Sequence, residues 1–472
     1  MSVRARLVAT LTALSALTLA AAPAVPGSAQ PRAVPGSELW AARYNGPGND
    51  QDSGRVVAAS PDGSRVFVAG ESAGGATGYD YATAAYDPTT GAEVWASRYD
   101  GPGNGWDSPA GLAVAPDGSK VFITGRSWGG TTLDFATVAY DSTTGAELWV
   151  SRYKGPDDYD DNAWAIAVSP DGNKVFVTGN SKGSSTLSDF ATVAYDSTTG
   201  AELWVSRYDG PGSANDLGRA IGVSPDGTKV FVTGESWGAG TGYDYATVAY
   251  DSTTGAEVWV KRYGGYPRPG GDLPTALAVG PAGLRVYVTG STKHGGSNDY
   301  ATVAYRCDDG ERFWAKRYDG PAHAGDFARA IAVSPDGRAV FVTGQSFGGS
   351  ATRNDYATIA YGVKNGVVLW LSRYQGPGAS DDYATAVAVA PSGLRVYVTG
   401  ETSGYGDAYT TISYNADKGT AGWLARYDGP GSPPWDSDRA SSVVASAGRV
   451  IVTGWSGGAT SGNDFATVAY AA

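Results

Sequence analysis

Short apolar runs separated by polar turns recur along the whole chain, and no stretch of it has helical periodicity. One run reads VFVTG or a close variant and occurs eight times, ending at Gly70, Gly125, Gly179, Gly234, Gly290, Gly344, Gly400 and Gly454. Another run alternates along its length, as in DFATVAYD from Asp189 to Asp196, which is the pattern of a β-strand. The sequence therefore predicts an all-β protein.

A third pattern, Trp-x-x-Arg-Tyr, sets the period of the repeat. It occurs eight times, with tryptophans 53 to 56 residues apart at Trp40, Trp95, Trp149, Trp204, Trp259, Trp314, Trp370 and Trp423. Each copy contains four predicted strands joined by tight turns such as SPDG and DSTTG. Four strands per repeat at this period are typical of a propeller blade. We therefore expect an eight-bladed β-propeller with four antiparallel strands in each blade.

The two ends of the chain are predicted to complete one blade together. The last copy stops after DFATVAYAA and lacks its fourth strand, whereas the first copy begins with GSELW from Gly36. The strand near Glu38 to Arg43 is therefore expected to pair beside Phe465 to Tyr470. Closure of this kind protects the ring from an open edge.

The N-terminal segment has the features of a secretory signal peptide. An apolar run from Leu7 to Ala22 follows two arginines, and small residues come after it. This pattern predicts a signal peptide over residues 1–29, cleaved after Ala24 or Ala29. A retained signal anchor is the alternative, although the run is short for a membrane span. Residues 30–472 are expected to form a single propeller domain of a secreted protein, with no later membrane span.

Charge and cysteine content narrow the classes of partner. The formal net charge is −12, which argues against nucleic acid and anionic lipid as partners. Cys307 is the only cysteine, so the exported domain has no internal disulfide and depends on packing. Cys307 is either a reactive thiol or a small residue that fills one degenerate repeat.

The third and fourth strands carry a family resemblance. The segment AYDSTTGAELW, from Ala139 to Trp149, has the order Ala-x-Asp-x-x-Thr-Gly-x-x-x-Trp, and the order recurs at Ala85–Trp95, Ala194–Trp204 and Ala249–Trp259. It resembles the tryptophan-docking motif of eight-bladed quinoprotein-like propellers. That resemblance implies that each tryptophan packs between neighbouring blades. The strings DYATVAYD and VYVTG are also similar to the secreted bacterial propeller repeats known as SBBP repeats.

The resemblance carries no cofactor onto this chain. Quinoprotein dehydrogenases typically have an adjacent cysteine pair and helical insertions, and this sequence has one cysteine and near-uniform repeats. Its two histidines, His294 and His323, have no metal-ligand spacing, and no nucleophile elbow or phosphate loop is present. We therefore predict no cofactor, and the propeller fold by itself assigns no activity.

Candidate binding residues lie in the variable loops. In a four-stranded blade, the loop between the second and third strands and the crossing to the next blade share one face, which we call the crossing face. Loops on a rigid scaffold often carry function, and aromatic side chains there break the repeat. The candidate binding residues are Trp106, Trp128, Trp237, Phe347, Trp435 and Trp455. The alternative is that these rings only cap their own glycine-rich loops.

Two recurring aspartates give a second candidate chemistry. One begins each inner strand, at Asp52, Asp107, Asp161, Asp216, Asp272, Asp326, Asp382 and Asp438. The other precedes each third strand, at Asp80, Asp134, Asp189, Asp244, Asp299, Asp355, Asp407 and Asp464. Carboxylates at a channel mouth could bind Ca²⁺. The alternative is that each aspartate accepts hydrogen bonds from the backbone of its own turn.

Two classes of function follow from these features. The preferred hypothesis is a secreted, non-enzymatic binding or scaffold propeller that contacts a protein or a glycan through the crossing face. The alternative is an extracellular enzyme with a site at the central channel, either a quinone-dependent oxidoreductase or a carbohydrate-active lyase or hydrolase. Carboxylates found in only one blade, namely Asp157, Asp158 and Glu401, are its candidate catalytic groups.

Overall fold

The computed structural model describes residues 33–183, 187–264, 270–404, 407–431, 438–458 and 461–472. The predicted signal peptide and Trp435 lie outside the described residues. Within these ranges the chain forms β-strands and turns, with no helix, so this part of the chain offers no helical membrane span.

The strands assemble into eight four-stranded antiparallel sheets, which are the predicted blades. The first four blades consist of β2 (Asp52–Ala59), β3 (Val66–Ala73), β4 (Tyr79–Tyr86) and β5 (Glu93–Tyr99); β6 (Ser108–Val114), β7 (Lys120–Trp128), β8 (Leu133–Asp141) and β9 (Glu147–Tyr153); β10 (Asn162–Val168), β11 (Lys174–Lys182), β12 (Ser188–Asp196) and β13 (Glu202–Tyr208); and β14 (Asp216–Val223), β15 (Lys229–Gly238), β16 (Gly242–Asp251) and β17 (Glu257–Tyr263). A short strand β18 (Gly270–Gly271) pairs in parallel with β16.

The remaining blades continue the same order and close the ring. They consist of β19 (Leu273–Val279), β20 (Arg285–His294), β21 (Ser297–Arg306) and β22 (Arg312–Tyr318); β23 (Asp326–Val333), β24 (Ala339–Phe347), β25 (Asn354–Gly362) and β26 (Val368–Tyr374); β27 (Asp382–Val389), β28 (Arg395–Thr402), β29 (Ala408–Asn415) and β30 (Ala421–Tyr427); and β31 (Arg439–Ser446), β32 (Arg449–Gly457), β33 (Asn463–Ala471) and β1 (Glu38–Tyr44).

The eighth blade is closed by the N-terminal strand, as expected. β1 pairs antiparallel with β33, with Trp40 opposite Ala469 and Tyr44 opposite Phe465. The inner strand β2 also contacts β31 of this blade, so the first and last blades adjoin. The predicted fold is confirmed.

The repeated tryptophans pack between neighbouring blades. Trp204 lies on the outer strand of blade 3 and is 8% exposed. Its Nε1 donates to the carbonyl of Ser252 in blade 4 at 3.2 Å. Its ring also lies over the turn glycine Gly255, where an added Cβ would approach it to 2.7 Å. Glycine with positive φ therefore serves two purposes there, because it allows the turn and leaves room for the ring.

On the face opposite the docked tryptophans, the arginine of six Trp-x-x-Arg-Tyr patterns donates to a tyrosine hydroxyl of the preceding blade. Arg98 donates to the hydroxyl of Tyr44 in the preceding blade at 3.3 Å and forms an ion pair with Asp80 of its own blade at 2.6 Å. The same arginine–aspartate pair is present at Arg43–Asp464, Arg152–Asp134, Arg207–Asp189, Arg262–Asp244, Arg317–Asp299 and Arg373–Asp355. The sequence pattern is thus explained by contacts within and between blades.

Cys307 fills a degenerate copy of the docking turn. It is 2% exposed, and its carbonyl accepts the Nε1 hydrogen of Trp259 at 3.0 Å, as the turn serines do in other blades. Burial raises the pKa of the thiol to about 12.

We expect Cys307 to be unreactive in the folded protein. Because the thiolate is the nucleophile, a buried thiol with a raised pKa should not react with a thiol reagent at pH 8. Full reaction should appear only after denaturation, as measured by the absorbance of released thionitrobenzoate. Rapid stoichiometric reaction of the native protein would instead show an accessible, reactive cysteine.

Candidate functional site: the channel mouth

A cleft opens at the central channel on the crossing face. Its inner part has a volume of about 350 Å³ and is lined from the inner strands of four blades, by Arg55, Ala110, Trp164 and Ser441. Because inner strands of several blades contribute, this part of the cleft lies at the channel mouth. Each of these residues sits at a register shift in its inner strand, for example between Gly54 and Val56, and such a bulge re-aims a side chain.

The cleft extends outward into a second compartment of about 510 Å³. The two compartments share Arg55 and Glu71. Three aromatic rings line the outer part: Tyr79 of blade 1, Trp106 of the crossing to blade 2, and Trp455 of blade 8. Volumes of this size are those of ordinary small-ligand sites.

Charged groups between the two compartments are held in fixed positions. Arg55 pairs with Glu71 at 3.1 Å, and Glu71 also accepts a hydrogen bond from the hydroxyl of Ser108. The guanidinium of Arg126 lies 4.7 Å from the centre of the Trp106 ring, a cation–π contact. The cleft therefore presents aromatic faces beside fixed hydrogen-bonding groups.

The rest of the mouth continues this arginine-rich pattern. Arg219 pairs with Glu235 at 2.5 Å, and Arg439 pairs with Glu401 at 3.3 Å. Burial raises the pKa of Glu401, although the charge of Arg439 opposes that shift. Burial lowers the pKa of Arg329, and the charge of Arg439 lowers it further.

The channel-mouth residues form two columns of the repeat, of which only Trp455 and Glu401 were singled out from the sequence. One column follows each VFVTG-type run and reads Glu71, Arg126, Asn180, Glu235, Ser291, Gln345, Glu401 and Trp455. The other is the third residue after each inner-strand aspartate and reads Arg55, Ala110, Trp164, Arg219, Thr275, Arg329, Thr385 and Ser441. The columns on either side of the first one hold only Gly, or only Ser and Thr, in all eight copies. Alignment of the copies would therefore have shown the first column as a variable position within a uniform strand, whereas the inner strands vary at several positions.

The predicted aromatic residues divide into two groups. Trp106 is 52% exposed and lines the outer compartment of the cleft together with the half-buried Trp455. Trp237 is 39% exposed and packs edge-on against Tyr243 at 5.0 Å. Phe347 is half-buried.

Trp128 is half-buried and covers the glycine-rich crossing beside it. An added Cβ at Gly103 or Gly105 would lie 2.4 Å from the ring of Trp128. This close approach matches the capping alternative. Trp128, Trp237 and Phe347 belong to blades 2, 4 and 6 and line neither compartment of the cleft.

The inner-strand aspartates connect loops of the crossing face. Asp107 is fully buried and accepts the backbone N–H groups of Gly101 and Trp128, both at 2.8 Å. Burial raises the pKa of Asp107, and these hydrogen bonds oppose that shift. The corresponding backbone bond from the crossing glycine is present at Asp52, Asp161, Asp216, Asp326, Asp382 and Asp438. These inner-strand aspartates therefore accept hydrogen bonds from the backbone of the crossings, as the second alternative predicted.

The three candidate catalytic carboxylates are not brought together in the cleft, and Glu401 has counterparts in other blades at Glu71 and Glu235. Asp158 is exposed and pairs with Lys154 in the crossing after blade 2, and Asp157 lies beside it in the chain. Glu401 pairs with Arg439 from blade 8. These three residues therefore do not form the carboxylate pair that glycoside hydrolysis uses.

Comparisons with known proteins found similar sequences and folds. The family model described as outer membrane protein assembly factor BamB matches residues 32–346. No curated protein matches the sequence significantly.

Among solved structures, BamB from Moraxella catarrhalis aligns with a TM-score of 0.54 and 17% identity, covering 92% of this chain and 99% of that chain. Sqt1 from Chaetomium thermophilum, solved with the N-terminus of the ribosomal protein L10, gives a TM-score of 0.57 and 14% identity over 90% and 98% of the two chains. Quinohemoprotein alcohol dehydrogenase from Comamonas testosteroni aligns with a TM-score of 0.54 and 14% identity, covering 92% of this chain and 76% of that chain. At these identities the likeness shows the propeller fold alone.

Proposed function

This chain belongs to the family of outer membrane protein assembly factor BamB, and on that premise we propose that it is an exported binding propeller whose channel-mouth cleft binds a glycan. Solved structures that share the fold include the BamB protein and a quinohemoprotein alcohol dehydrogenase, so the fold alone assigns no function and the proposal is argued from the cleft. The proposal of export follows from the N-terminal sequence pattern.

The observation that carries the proposal is the Trp106 ring in the cleft. It is 52% exposed although it lies beside Tyr79, with ring centroids 6.2 Å apart. Apolar rings exposed on a concave surface suggest a ligand that covers them. The C–H face of a pyranose stacks on such a ring, and its hydroxyls can bond to the Arg55–Glu71 pair.

The same groups give the cleft orientation and specificity. Arg55 and Glu71 already occupy defined positions through their ion pair, so little side-chain entropy is lost when a ligand binds them. Arg126 is fixed on Trp106 and adds a donor on the channel side. An open cleft with aromatic faces and paired polar groups suits one or a few sugar residues better than a buried cofactor.

Replacing Trp106 by Ala is expected to weaken glycan binding at least tenfold, because the stacking surface is lost. The mature protein would first be screened on a glycan array, and the dissociation constant of the best ligand would then be measured by calorimetry. The melting temperature of Trp106→Ala should change little, since the ring is largely exposed.

Tyr159→Ala is the matched control. Tyr159 is 50% exposed and has Lys182 Nζ over its ring at 3.3 Å, but it lies outside the cleft. It should bind the glycan as the wild type does. Wild-type affinity of Trp106→Ala, or equal losses in both variants, would contradict binding at the cleft.

A protein partner is the second candidate, and the spread of exposed rings favours it. Trp237 and Tyr159 lie on the same face outside the cleft, and a protein could cover all of them. Equal losses in Trp106→Ala and Tyr159→Ala for a captured protein would support this function. Shortening of the bound glycan during incubation would instead support the carbohydrate-active enzyme.

A further inference from the structure

Three trios of carboxylates lie between consecutive blades. Each trio joins an aspartate that precedes a third strand, an aspartate in the following crossing, and the aspartate that begins the next inner strand. In each trio, one oxygen from every carboxylate lies within 4.8 Å of the other two. The trios are Asp80, Asp100 and Asp107; Asp189, Asp209 and Asp216; and Asp299, Asp319 and Asp326.

Buried oxygens in two of these trios have no protein partner. Asp80 is 3% exposed, and its Oδ2 pairs with Arg98, whereas its Oδ1 is buried without a hydrogen bond. Asp100 Oδ1 in the same trio is also buried and unbonded. In the third trio, Oδ1 of the fully buried Asp326 is likewise buried without a hydrogen bond. Buried charged oxygens of this kind are costly unless something bonds to them.

The net charge of a trio indicates the charge of the ligand that would neutralise it. Three carboxylates carry three negative charges, and one arginine, for example Arg98 on Asp80, supplies one positive charge. Two negative charges therefore remain in the first trio, which one divalent cation neutralises. The second trio has the same balance, with Arg207 on Asp189, whereas in the third trio Asp319 also pairs with His323. A calcium ion lies 2.3–2.6 Å from each oxygen ligand, so ligand oxygens on either side of it are up to about 5 Å apart. The observed separations fit this geometry.

From these observations we propose that the chain binds three calcium ions, one in each trio, and that each ion fastens two consecutive blades together. In the first site, Asp80 comes from blade 1, Asp107 from blade 2 and Asp100 from the crossing between them. Carboxylate oxygens are the preferred ligands of Ca²⁺. The partly exposed Asp100 leaves the site open to solvent, so water completes the coordination. None of the trio carboxylates lines the glycan cleft, although Asp80 and Asp107 directly follow the cleft residues Tyr79 and Trp106 in the chain.

The alternation of the repeat supports the assignment. After the Arg-Tyr pair, the crossings that contain a trio have Asp100, Asp209 and Asp319, whereas those entering blades 1, 3, 5 and 7 have Asn45, Lys154, Gly264 and Gln375. The crossing that enters blade 8 also has an aspartate, Asp428, but it forms no trio among the described residues. The two ring aspartates are present in every blade and have structural hydrogen bonds. In the crossings entering blades 2, 4 and 6, the crossing aspartate is therefore the residue that adds a third carboxylate to a pair of ring aspartates.

The test compares the chelator-treated mature protein with the variant Asp100→Asn/Asp209→Asn/Asp319→Asn. Equilibrium dialysis against CaCl₂ should give about three ions bound to the wild type, and the melting temperature should rise with CaCl₂ because the ion binds only the folded state. The triple variant should lose the bound ions and the rise. Without calcium its melting temperature should equal or exceed that of the wild type, since it has less charge repulsion.

Asp50→Asn is the matched control. Asp50 is an exposed aspartate of a crossing without a trio, so the substitution removes one negative charge from the same face, as each single substitution of the triple variant does. This control should retain all three ions. The proposal is wrong if the wild type binds no calcium, or if the triple variant still binds it. It is equally wrong if the triple variant is destabilised to the same extent with and without calcium, because the aspartates would then be structural only.

Discussion

Deleting residues 30–44 is expected to abolish cooperative unfolding of the ring and to lower its melting temperature more than any single substitution. The deletion removes β1, which pairs with β33 from Glu38 to Tyr44. It also removes Trp40, whose Nε1 donates to the carbonyl of Pro88 in blade 1 at 2.9 Å, and Arg43, which pairs with Asp464. Blade 8 would lose its outer strand and the docking of Trp40 on blade 1 together, although β2 would still contact β31.

The measurement is chemical denaturation followed by circular dichroism and by tryptophan fluorescence. The wild type should give one coincident transition, whereas the truncated protein should give a broader one with a lower m-value. A synthetic peptide of residues 34–46 should restore the transition in trans, and a scrambled peptide should not. An unchanged midpoint and m-value in the truncated protein would show that β1 does not fasten the ring.

Replacing Trp204 by Ala is expected to destabilise the protein by about 3–5 kcal/mol, the usual cost of truncating a buried tryptophan. The ring lies between Phe176 and Tyr250, with centroids 5.8 and 6.3 Å away. The substitution leaves a cavity between the blades. It also leaves the carbonyl of Ser252 without the hydrogen bond from Trp204 Nε1.

Leu203→Ala is the control for Trp204→Ala. Leu203 precedes Trp204 in the same strand but is 46% exposed, so its truncation should change the free energy of unfolding by less than about 0.5 kcal/mol. Both values come from urea titrations of the mature chain. Equal stabilities for the two variants would contradict the docking role of the tryptophan.

Repetition is why the fold could be predicted from this sequence. A chain that repeats four alternating strands eight times cannot bury one copy's apolar face alone, and stacking the copies buries all of them. The split eighth copy then required β1 to lie beside β33, which the register of Trp40 and Ala469 confirms. The docking role of the tryptophans followed from the same periodicity, because one large aromatic per blade is placed to fill each blade interface.

The channel-mouth cleft was harder to predict from the sequence than the fold, because its residues are those that differ from the repeat. The aromatic departures at Trp106 and Trp455 were recognised, and the tertiary structure brings them into one cleft. The identical signal at Trp128 belongs to a ring that covers Gly103 and Gly105. Exposure of a loop aromatic depends on the neighbouring loop, and that neighbour is a separate crossing whose path the local sequence does not encode.

Strand periodicity by itself thus determined the number of blades, the closure of the ring and the face that carries the variable loops. Only the tertiary structure decided that Arg55 and Glu71 meet at the channel mouth, because a bulge in the inner strand turns Arg55 inward. Likewise, Asp80 and Asp107 are 27 positions apart and belong to different blades, and the stacking of those blades places them in one trio. Local patterns fix which face of a strand is buried, whereas the approach of side chains from separate blades depends on the geometry of the closed ring.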